Sequence, residues 1–430
     1  MKDGNEIQGN LIGGEWLPDG DCRPNVNPSD TRDIIGFFAC ADRTAVDQAV
    51  HAARSAFPAW AAAGPQVRHD LLDAVGTELL ARKEEIGRLL AREEGKTLPE
   101  AMGETIRAGQ VFKFFAGEAL RVAGDAQQSV RPGIDVAVTR EPVGVIALIT
   151  PWNFPIAIPA WKIAPALAYG NCVVLKPAEL TPGCAHVIAQ LLHKHGCPAG
   201  VFNLVMGPGS VLGDALVSHP GIDAVSFTGS AATGSRIAAT CGTLRRKVQL
   251  EMGGKNPMVV MDDADLQNAV QACLNGAFFS TGQRCTASSR LIVQKGIHDA
   301  FVERLGREMR ALRVGDALQP DTQIGPVVDQ RQLDSNLAYV ELARSEAAEV
   351  LGGERLELDK PGFYQAPALF LNTTNDARIN REEIFGPCAS VIRVEDFDEA
   401  LAIANDTEFG LSAGICTGSL KHASEFRRRV

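Results

Sequence analysis

Four short apolar runs between residues 143 and 228 constrain the fold of this chain more than any other feature. Each run has the length of a strand, and a segment with helical spacing separates it from the next run. Strands that are apolar on both faces and joined by helices predict a parallel sheet covered by helices on both sides. The predicted strands are residues 145–150, 172–175, 202–205 and 224–227, and the predicted helices between them are residues 160–169, 182–195 and 211–219.

Polar and glycine-rich segments follow these predicted strands. Ligands of parallel sheets bind beyond the carboxyl ends of the strands, so these segments predict a dinucleotide site. The G-x-G-x-x-G fingerprint is absent, because the third glycine of Gly207, Gly209 and Gly213 stands one place late. Residues 227–234 fit better, with a strand, a small-residue turn and a helix start whose N–H groups can bind a pyrophosphate. A plain strand-to-helix turn explains this segment equally well.

The alternation of strand and helix begins again after Gly253 and Gly254. A second α/β domain is therefore expected, with this glycine pair near the hinge. Its predicted strands are residues 259–260 and 291–293, and its predicted helices are residues 265–279 and 299–312. Ahead of the first sheet, residues 11–17 predict a hairpin and residues 44–63, 66–93 and 99–122 predict a helical section.

Composition and charge exclude several classes of protein. The net charge of -10 argues against nucleic-acid partners, which require a basic face. No apolar run approaches the roughly 18 residues of a membrane span, and the first residues lack the apolar core of a signal peptide, so we expect a cytoplasmic protein without a membrane partner. The ten cysteines contain no C-x-x-C pair, so we expect neither a disulfide framework nor a metal site.

Cys285 lies between the predicted helix 265–279 and a short apolar strand at 289–293. Gly282, three residues earlier, removes a side chain that would cover the thiol. One interpretation is therefore a nucleophile that faces a cleft. The other is an inert buried thiol, because free cysteine is among the most buried residue types.

Other polar residues close predicted strands. Glu251 ends an apolar strand ahead of two glycines, where burial would make its carboxylate a stronger base; a structural ion pair is the alternative. The amide of Asn153 could donate to an oxyanion, or belong to a surface turn. Lys176 and Glu179 could hydrogen-bond ribose hydroxyls, and Glu179 would repel a 2′-phosphate, which favours NAD over NADP. The alternative for this last pair is two solvated charges.

Together these groups describe one reaction. The thiolate of Cys285 adds to an aldehyde, while the Asn153 amide and the Cys285 backbone N–H hold the resulting oxyanion. Transfer of a hydride to a nicotinamide leaves a thioester. Water activated by Glu251 then releases a carboxylic acid.

Six motifs, in one order, resemble those of the NAD(P)-dependent aldehyde dehydrogenase superfamily from about residue 10 to the end. They are Pro-Trp-Asn-Phe-Pro at 151–155, Lys-Pro-Ala-Glu at 176–179, Phe-Thr-Gly-Ser at 227–230, Leu-Glu-Met-Gly-Gly-Lys-Asn-Pro at 250–257, Gly-Gln-Arg-Cys-Thr at 282–286 and Glu-Glu-Ile-Phe-Gly-Pro at 382–387. The resemblance implies an aldehyde dehydrogenase-like α/β fold. Its parts are a Rossmann-type parallel-sheet cofactor domain at 1–122 and 143–252, a small β oligomerisation arm at 123–142 and a thiol-bearing α/β catalytic domain at 253–430.

The resemblance also implies a role for each matching residue. Cys285 is the nucleophile, Glu251 the general base and Asn153 the oxyanion donor. A base at 251 favours hydrolysis to an acid over formation of an acyl phosphate or acyl-CoA. The implied cofactor is NAD, with NADP possible, and the implied cofactor-binding residues are Trp152, Lys176, Glu179, Gly229, Ser230, Gly234, Glu383 and Phe385.

Within the superfamily, residues 150–179, 282–290 and 361–364 are most similar to bacterial α-ketoglutaric semialdehyde (2,5-dioxopentanoate) dehydrogenases. Such a substrate carries a carboxylate, so a cation is expected near it. The candidate substrate residues are Arg284, Arg107, Phe154 and Trp161, with a structural ion pair as the alternative for each arginine. Succinate or glutarate semialdehyde, or a broad range of aldehydes, remain alternative substrates.

The resemblance predicts that a full-length chain forms a homodimer or homotetramer, assembled through the arm at 123–142. The family usually continues for some tens of residues beyond a point like Val430, and the predicted final helix has no stop signal. We therefore expect a truncated chain whose arm lacks a partner strand. A non-catalytic, dinucleotide-binding structural subunit is the alternative from another class of protein.

Overall fold

The computed structural model of the chain describes residues 6–18, 20–346 and 348–430. Residues 1–5 and Asp19 of the predicted cofactor domain, and Ala347 of the predicted catalytic domain, lie outside the described residues. The chain forms two compact units. The first comprises Met1–Val26, Ile34–Glu93 and Ala101–Glu251, and the second comprises Asn27–Asp33, Glu94–Glu100 and Met252–Val430.

The first unit combines a mainly parallel sheet with helices. Its strands are β1 (Ile7–Gln8), β2 (Asn10–Ile12), β3 (Glu15–Leu17), β4 (Cys22–Val26), β5 (Ile34–Ala39), β6 (Asp125–Gln128), β7 (Asp135–Val138), β8 (Val145–Ile149), β9 (Cys172–Lys176), β10 (Phe202–Leu204), β11 (Ala224–Thr228) and β12 (Lys247–Glu251). Its helices are α1 (Arg43–Ala62), α2 (Pro65–Ala81), α3 (Lys83–Glu94), α4 (Leu98–Ala119), α5 (Ala157–Ala168), α6 (Pro182–Lys194), α7 (Gly209–Ser218) and α8 (Ala231–Thr243). The last residue of α3 and the start of α4 lie in the segment 94–100, which belongs to the second unit.

The predicted parallel sheet is confirmed. It has seven strands in the order β12-β11-β8-β9-β10-β2-β3, and the first five are parallel to one another. The predicted hairpin, β2 and β3, adds two antiparallel strands at one edge. β8 and β9 are buried throughout, as strands covered on both faces must be. Two smaller sheets, β1-β5-β4 and the exposed hairpin β6-β7, complete the unit.

Two expectations about this unit are wrong. The helical pattern of residues 66–93 is split into α2 and α3, because Arg82 leaves helical geometry at φ -100° and ψ 18°. No glycine or proline marks that break in the sequence. The apolar strand before Gly253 is not buried, since β12 is an edge strand and four of its five residues are exposed.

The second unit is also an α/β structure. Its strands are β13 (Asn256–Val260), β14 (Ser288–Gln294), β15 (Glu349–Gly352), β16 (Ala368–Leu371), β17 (Cys388–Val394) and β18 (Gly414–Cys416). Its helices are α9 (Leu266–Phe278), α10 (Lys295–Arg310), α11 (Gln330–Ser345), α12 (Arg378–Arg381), α13 (Phe397–Asn405) and α14 (Leu420–Arg429), with a 3-10 turn at Phe279–Gly282.

The sheet of the second unit has the order β15-β16-β17-β14-β13-β18 and is parallel except for β15. The two predicted strands fall within β13 and β14, and the two predicted helices correspond to α9 and α10. The main core lies between these helices and the sheet, around Phe278, Leu291 and Phe301. None of the helices in the described ranges has both the length and the apolar character that crossing a membrane requires.

Buried Glu93 holds the start of α6, the helix that follows β9. Its carboxylate accepts hydrogen bonds from the backbone N–H groups of Gly183 and Cys184 (2.9 Å) and from Nδ2 of Asn25 (2.5 Å). The first N–H groups of a helix have no partner inside the helix, and the N-cap residue Thr181 makes no side-chain cap. Glu93 therefore serves as the cap from a distant part of the chain. Its burial raises its pKa to about 7.

This buried carboxyl predicts a pH-dependent stability. Because the pKa of folded Glu93 lies above the ordinary value of 4.5, its contribution to stability is complete below that value and is lost as the pH rises through about 7. The quantity to compare is the difference in free energy of unfolding between the unmodified chain and Glu93→Gln. We expect this difference to fall by about 2 to 3 kcal/mol between about pH 5 and about pH 8. Urea titrations at several pH values measure this difference. The control is Glu84→Gln, which changes an exposed glutamate of the same helix. A difference for Glu93 that does not vary with pH would contradict this role of the buried carboxyl.

Candidate active site

The predicted site residues occur in both units, and each group is described within its own unit. In the first unit they follow four neighbouring parallel strands, β12, β11, β8 and β9. Glu251 ends β12 and Lys176 ends β9, while Gly229 follows β11 and Asn153 comes soon after β8. The carboxyl ends of parallel strands lie along one edge of the sheet, which is where such sheets bind ligands.

Asn153 is only 4% exposed, which excludes the alternative of a surface turn. Its segment leads into α5, where the N–H groups of Ile156 and Ala157 both donate to Oε1 of Glu104 at 3.0 Å. Buried Glu104, on α4, therefore anchors the backbone next to Asn153. Glu104 is not among the residues predicted from the sequence. The available signal was a carboxylate at a position where helical spacing places apolar residues.

Lys176 and Glu179 differ in environment. Burial lowers the pKa of the Lys176 ammonium to about 8, and the charge of Glu179 opposes that shift. A Cβ on Gly209 would lie 3.4 Å from Nζ of Lys176, so the lysine reaches the first residue of α7. Glu179 is exposed, and its Oε2 lies 3.8 Å from Nη1 of Arg23 in an ion pair that water can reach. Lys176 is therefore not a solvated charge, whereas Glu179 is.

The start of α8 has the geometry of an anion site. Ser230 is its N-cap residue, but the hydroxyl donates to Oγ1 of Thr233 (3.1 Å) and makes no cap to the backbone. The N–H of Gly234 donates to the carbonyl oxygen of Ser230 at 3.0 Å, as in a regular helix. The N–H groups ahead of Gly234 are those with which a helix start binds a phosphate.

Glu251 is exposed, and its Oε1 accepts a hydrogen bond from Nε2 of Gln249 at 2.6 Å. The expectation of a carboxylate at the mouth of a buried strand is therefore wrong. The physical reason is the place of β12 at the edge of the sheet, where only one side of the strand is paired.

Lys162 is a second buried polar residue that was not predicted from the sequence. It is buried on α5, and its Nζ donates to Oγ of Ser226 (2.7 Å) and to Oε1 of Gln249 (3.2 Å). Burial lowers the pKa of this ammonium to about 8, and the charge of Glu251 opposes the shift. A lysine inside the otherwise apolar run of α5 was the signal in the sequence.

In the second unit, Cys285 is half-buried and follows the 3-10 turn at Phe279–Gly282. Nδ2 of Asn256, at the start of β13, donates to the carbonyl oxygens of Cys285 (2.7 Å) and Ala287 (2.9 Å). Oδ1 of the same asparagine accepts from the N–H of Ser412 at 3.1 Å. One buried side chain therefore fixes the backbone at the thiol.

Gly282 was expected to leave the thiol uncovered, but the structure shows a different reason for the glycine. Its φ is +65°, and a Cβ there would lie 2.1 Å from the carbonyl oxygen of Gly386. Both the left-handed backbone and the close approach of the segment after Phe385 demand glycine. Glycine therefore serves here to bring two backbone segments together.

Glu383 and Phe385 lie beside this turn and share a small cavity with Gly282 and Arg284. Oε1 of Glu383 accepts from the N–H of Gly254 at 3.0 Å, and burial raises the pKa of the carboxyl. A Cβ on Gly253 would lie 2.0 Å from Oε2 of Glu383, so any larger residue there would displace that carboxylate. Phe385 has φ +62°, a left-handed conformation that is uncommon for a bulky residue.

The candidate substrate residues have varied surroundings. Nη2 of Arg284 donates to the carbonyl oxygens of Asn275 and Gly276 (3.0 Å) at the end of α9, and burial lowers the pKa of its guanidinium. These contacts favour a structural role for Arg284, although with helix carbonyls in place of an ion pair. In the first unit, Arg107 and Trp161 are exposed and Phe154 and Trp152 are half-buried.

A family model described as the aldehyde dehydrogenase family matches residues 16–430. The chain belongs to the aldehyde dehydrogenase family. It is 46% identical over 423 residues to the α-ketoglutaric semialdehyde dehydrogenase of Bacillus subtilis, a match that covers 97% of this chain and 86% of that protein. It is 39% identical over 408 residues to the 2,5-dioxopentanoate dehydrogenase of Saccharolobus solfataricus, covering 94% and 85% respectively.

A crystal structure of an NAD-dependent aldehyde dehydrogenase from Sinorhizobium meliloti superposes with a TM-score of 0.97 at 36% identity, covering 99% of this chain and 86% of that chain. These similarities confirm the resemblance drawn from the six motifs and the predicted α/β class. They also confirm the predicted reaction class, the oxidation of an aldehyde to a carboxylic acid by an aldehyde dehydrogenase.

Proposed function

We propose that this aldehyde dehydrogenase oxidises α-ketoglutaric semialdehyde to 2-oxoglutarate with NAD as the hydride acceptor. The observation that carries the proposal is the 46% identity to a Bacillus subtilis enzyme of that name, together with intact motifs around Cys285, Glu251 and Asn153. The Sinorhizobium meliloti relative is described as NAD-dependent, which supports the same cofactor here.

We infer the following roles for the residues of this chain. The Cys285 thiolate attacks the aldehyde carbon, and the negative charge on its oxygen is held by the amide of buried Asn153 and the Cys285 backbone N–H. Bound NAD supplies the site that accepts the hydride. Glu251 takes a proton from the water that attacks the resulting Cys285 thioester, which releases the acid and restores the thiol. Solvent exposure of Glu251 suits a base that must exchange its proton with water.

The cofactor residues fit a dinucleotide by their chemistry. Lys176 keeps a buried ammonium at the end of β9, and the N–H groups at the start of α8 suit a pyrophosphate. Glu179 would accept hydrogen bonds from ribose hydroxyls. We infer that Trp152, Gly229, Ser230 and Gly234 border the cofactor. Glu383 and Phe385 would contact its nicotinamide half.

The substrate carboxylate requires a cation. We infer that Arg107 is the better candidate of the two arginines, because the Arg284 guanidinium already binds the carbonyl oxygens at the end of α9. Phe154 and Trp161 would form the apolar walls. Succinate and glutarate semialdehyde carry the same charge, so the assay must include them.

The catalytic roles predict a pattern among three variants. Cys285→Ala should lower kcat by about 1,000-fold or more, and Asn153→Ala by about 100-fold, since each removes a group that acts on the transition state. Glu251→Gln should lower steady-state turnover by about 100-fold and leave a burst of NADH, because the thioester still forms but is hydrolysed slowly. NADH absorbance after rapid mixing measures both phases. The control is Cys416→Ala, another half-buried thiol of the second unit.

The same assay separates the substrates. We expect the highest kcat/KM with α-ketoglutaric semialdehyde, and lower values with succinate and glutarate semialdehyde and with a neutral aliphatic aldehyde. Equal values for all four would replace the proposed substrate with a broad range. Full activity in Cys285→Ala would overturn the mechanism, and binding of NAD without any turnover would favour the dinucleotide-binding subunit.

Glu179 predicts the choice of cofactor. Its carboxylate should repel a 2′-phosphate, so kcat/KM should be higher with NAD than with NADP, and Glu179→Gln should reduce the ratio by about tenfold. Initial rates with each dinucleotide measure this ratio. Glu141→Gln, an exposed glutamate elsewhere in the first unit, is the control. An unchanged ratio in Glu179→Gln would mean that this carboxylate does not meet the ribose.

We infer that the hairpin β6-β7 is the oligomerisation arm and that its partner is a second copy of this chain. Both strands are exposed throughout, and Val136 and Val138 lie on one face of β7. Within the described residues each strand of the hairpin has a neighbouring strand on one side only, and such an exposed edge pairs readily with another chain. The cytoplasmic location stays a prediction that cell fractionation would test.

This arm predicts a homodimer or homotetramer in solution. Val136→Lys should shift the mass towards the monomer, because it places a charge on the apolar face of β7. Light scattering coupled to size-exclusion chromatography measures the mass. Ala137→Lys, on the opposite face of the strand, is the matched control. A monomeric unmodified chain, or assembly unaffected by Val136→Lys, would contradict the proposal.

A further inference from the structure

Three consecutive residues ahead of Cys285 have left-handed backbone. Ser280 has φ 52°, Thr281 has φ 55° and Gly282 has φ 65°. Only glycine adopts this region freely, and a β-branched residue such as threonine is a genuine outlier there. Such a conformation persists only where the surrounding structure enforces it. The turn that leads to the thiol therefore needs external support.

Glu100 supports the first residue of this turn. Its Oε1 accepts hydrogen bonds from the N–H (2.8 Å) and the hydroxyl (3.0 Å) of Ser280. Its Oε2 accepts from the N–H (3.1 Å) and the hydroxyl (2.8 Å) of Thr97. Each carboxylate oxygen therefore accepts two hydrogen bonds, and the side chain links Ser280 to the segment 94–100.

The residue after the turn is held by the same segment. Nε2 of Gln283 lies 3.4 Å from Oε1 of Glu94, and Oε1 of Gln283 accepts from the N–H of Val328 at 3.0 Å. Oε2 of Glu94 accepts from the N–H of Lys96 at 2.9 Å. Gln283, Glu94 and Lys96 are all buried, so water does not compete for these bonds.

The middle of the turn is fixed through a third contact. The hydroxyl of Thr281 donates to the carbonyl oxygen of Gly325 at 3.1 Å. Gly325 in turn packs on the segment 94–100, because a Cβ there would lie 1.8 Å from the carbonyl oxygen of Gly95. Residues 94–100 and the turn belong to the same compact unit, although about 180 residues separate Glu100 from Ser280 along the chain.

We propose that Glu100 is a positioning residue for Cys285, which it serves by holding the left-handed turn Ser280–Gly282 in place. The inference rests on the proposed role of Cys285 as the nucleophile. Without Glu100, the N–H and hydroxyl of Ser280 lose their acceptor and the turn can relax towards right-handed geometry. Asn256 holds the carbonyl oxygen of Cys285 on the far side, so relaxation of the turn on the near side displaces the thiol.

The test compares Glu100→Ala and Glu100→Gln with the unmodified enzyme. The amide of Glu100→Gln keeps one acceptor oxygen but places an NH₂ donor against either Thr97 or Ser280. Glu100→Gln should therefore lower kcat as Glu100→Ala does, but by a smaller factor. A displacement of about 1 Å in a reacting group costs about 100-fold in rate. We therefore expect kcat to fall by about 100-fold in Glu100→Ala and about tenfold in Glu100→Gln, with KM for NAD unchanged.

A second readout reports on the thiol alone. The rate of alkylation of Cys285 by iodoacetamide, followed by mass spectrometry across a range of pH, should change in both variants in the absence of substrate. All measurements are made where circular dichroism shows each variant to be folded. The matched control is Glu346→Gln, which removes a carboxylate that also accepts backbone N–H groups in the second unit, those of Arg378 and Ile379.

The outcomes separate this inference from the proposed function. If Cys285→Ala is inactive but the folded Glu100 variants match the unmodified enzyme in kcat and in alkylation, Glu100 is not a positioning residue. The inference would also be overturned if KM for NAD rose in the Glu100 variants by the same factor as kcat fell. An equally large loss of kcat in Glu346→Gln would overturn it as well. Full activity in Cys285→Ala would instead overturn the proposed function, and the inference with it.

Discussion

The parallel pairing of β12, β11, β8 and β9 is the constraint on which the first unit depends. Parallel strands all end at one edge of a sheet, so segments that are far apart in the chain are gathered there. Pairing of Ile149 with Lys176 and of Thr228 with Glu251 sets the order along that edge. The chemistry of each segment then depends on its own strand. Lys176 ends a buried strand and Glu251 ends an exposed one.

Carboxylates that are buried or half-buried perform much of the local positioning. Glu93 caps α6, Glu104 binds the start of α5 and Glu100 binds the turn ahead of Cys285. In each case the carboxylate accepts backbone N–H groups that have no helical partner. A carboxylate makes these charge-assisted bonds over a long sequence separation, so it connects elements that apolar packing alone would leave free to shift. Two of these three places, the start of α5 and the turn ahead of Cys285, lie beside predicted site residues.

The second unit carries its thiol on a backbone that no local preference favours. Ser280 and Thr281 adopt left-handed geometry, and Gly282 allows the chain to approach Gly386. The cost of this geometry is offset by hydrogen bonds before and after Cys285. The proposed nucleophile must meet a carbonyl carbon at a fixed angle, and a backbone held on both sides of Cys285 suits that role. The fold thus supplies the order that the local sequence lacks.

The sequence by itself determined the α/β class, the strands β8 to β11 and the family, because apolar period, strand length and motif order are local properties. It also marked Cys285, Asn153 and Lys176 as unusual residues. Only the tertiary structure decided that β12 is an edge strand, that Arg82 separates two helices, that Glu100 binds Ser280 and that Lys162 binds Gln249. The physical reason is that burial and hydrogen-bond partners depend on residues far away in the chain. Glu100 and Ser280 become neighbours only after the second unit has folded, and no spacing in the sequence records that contact.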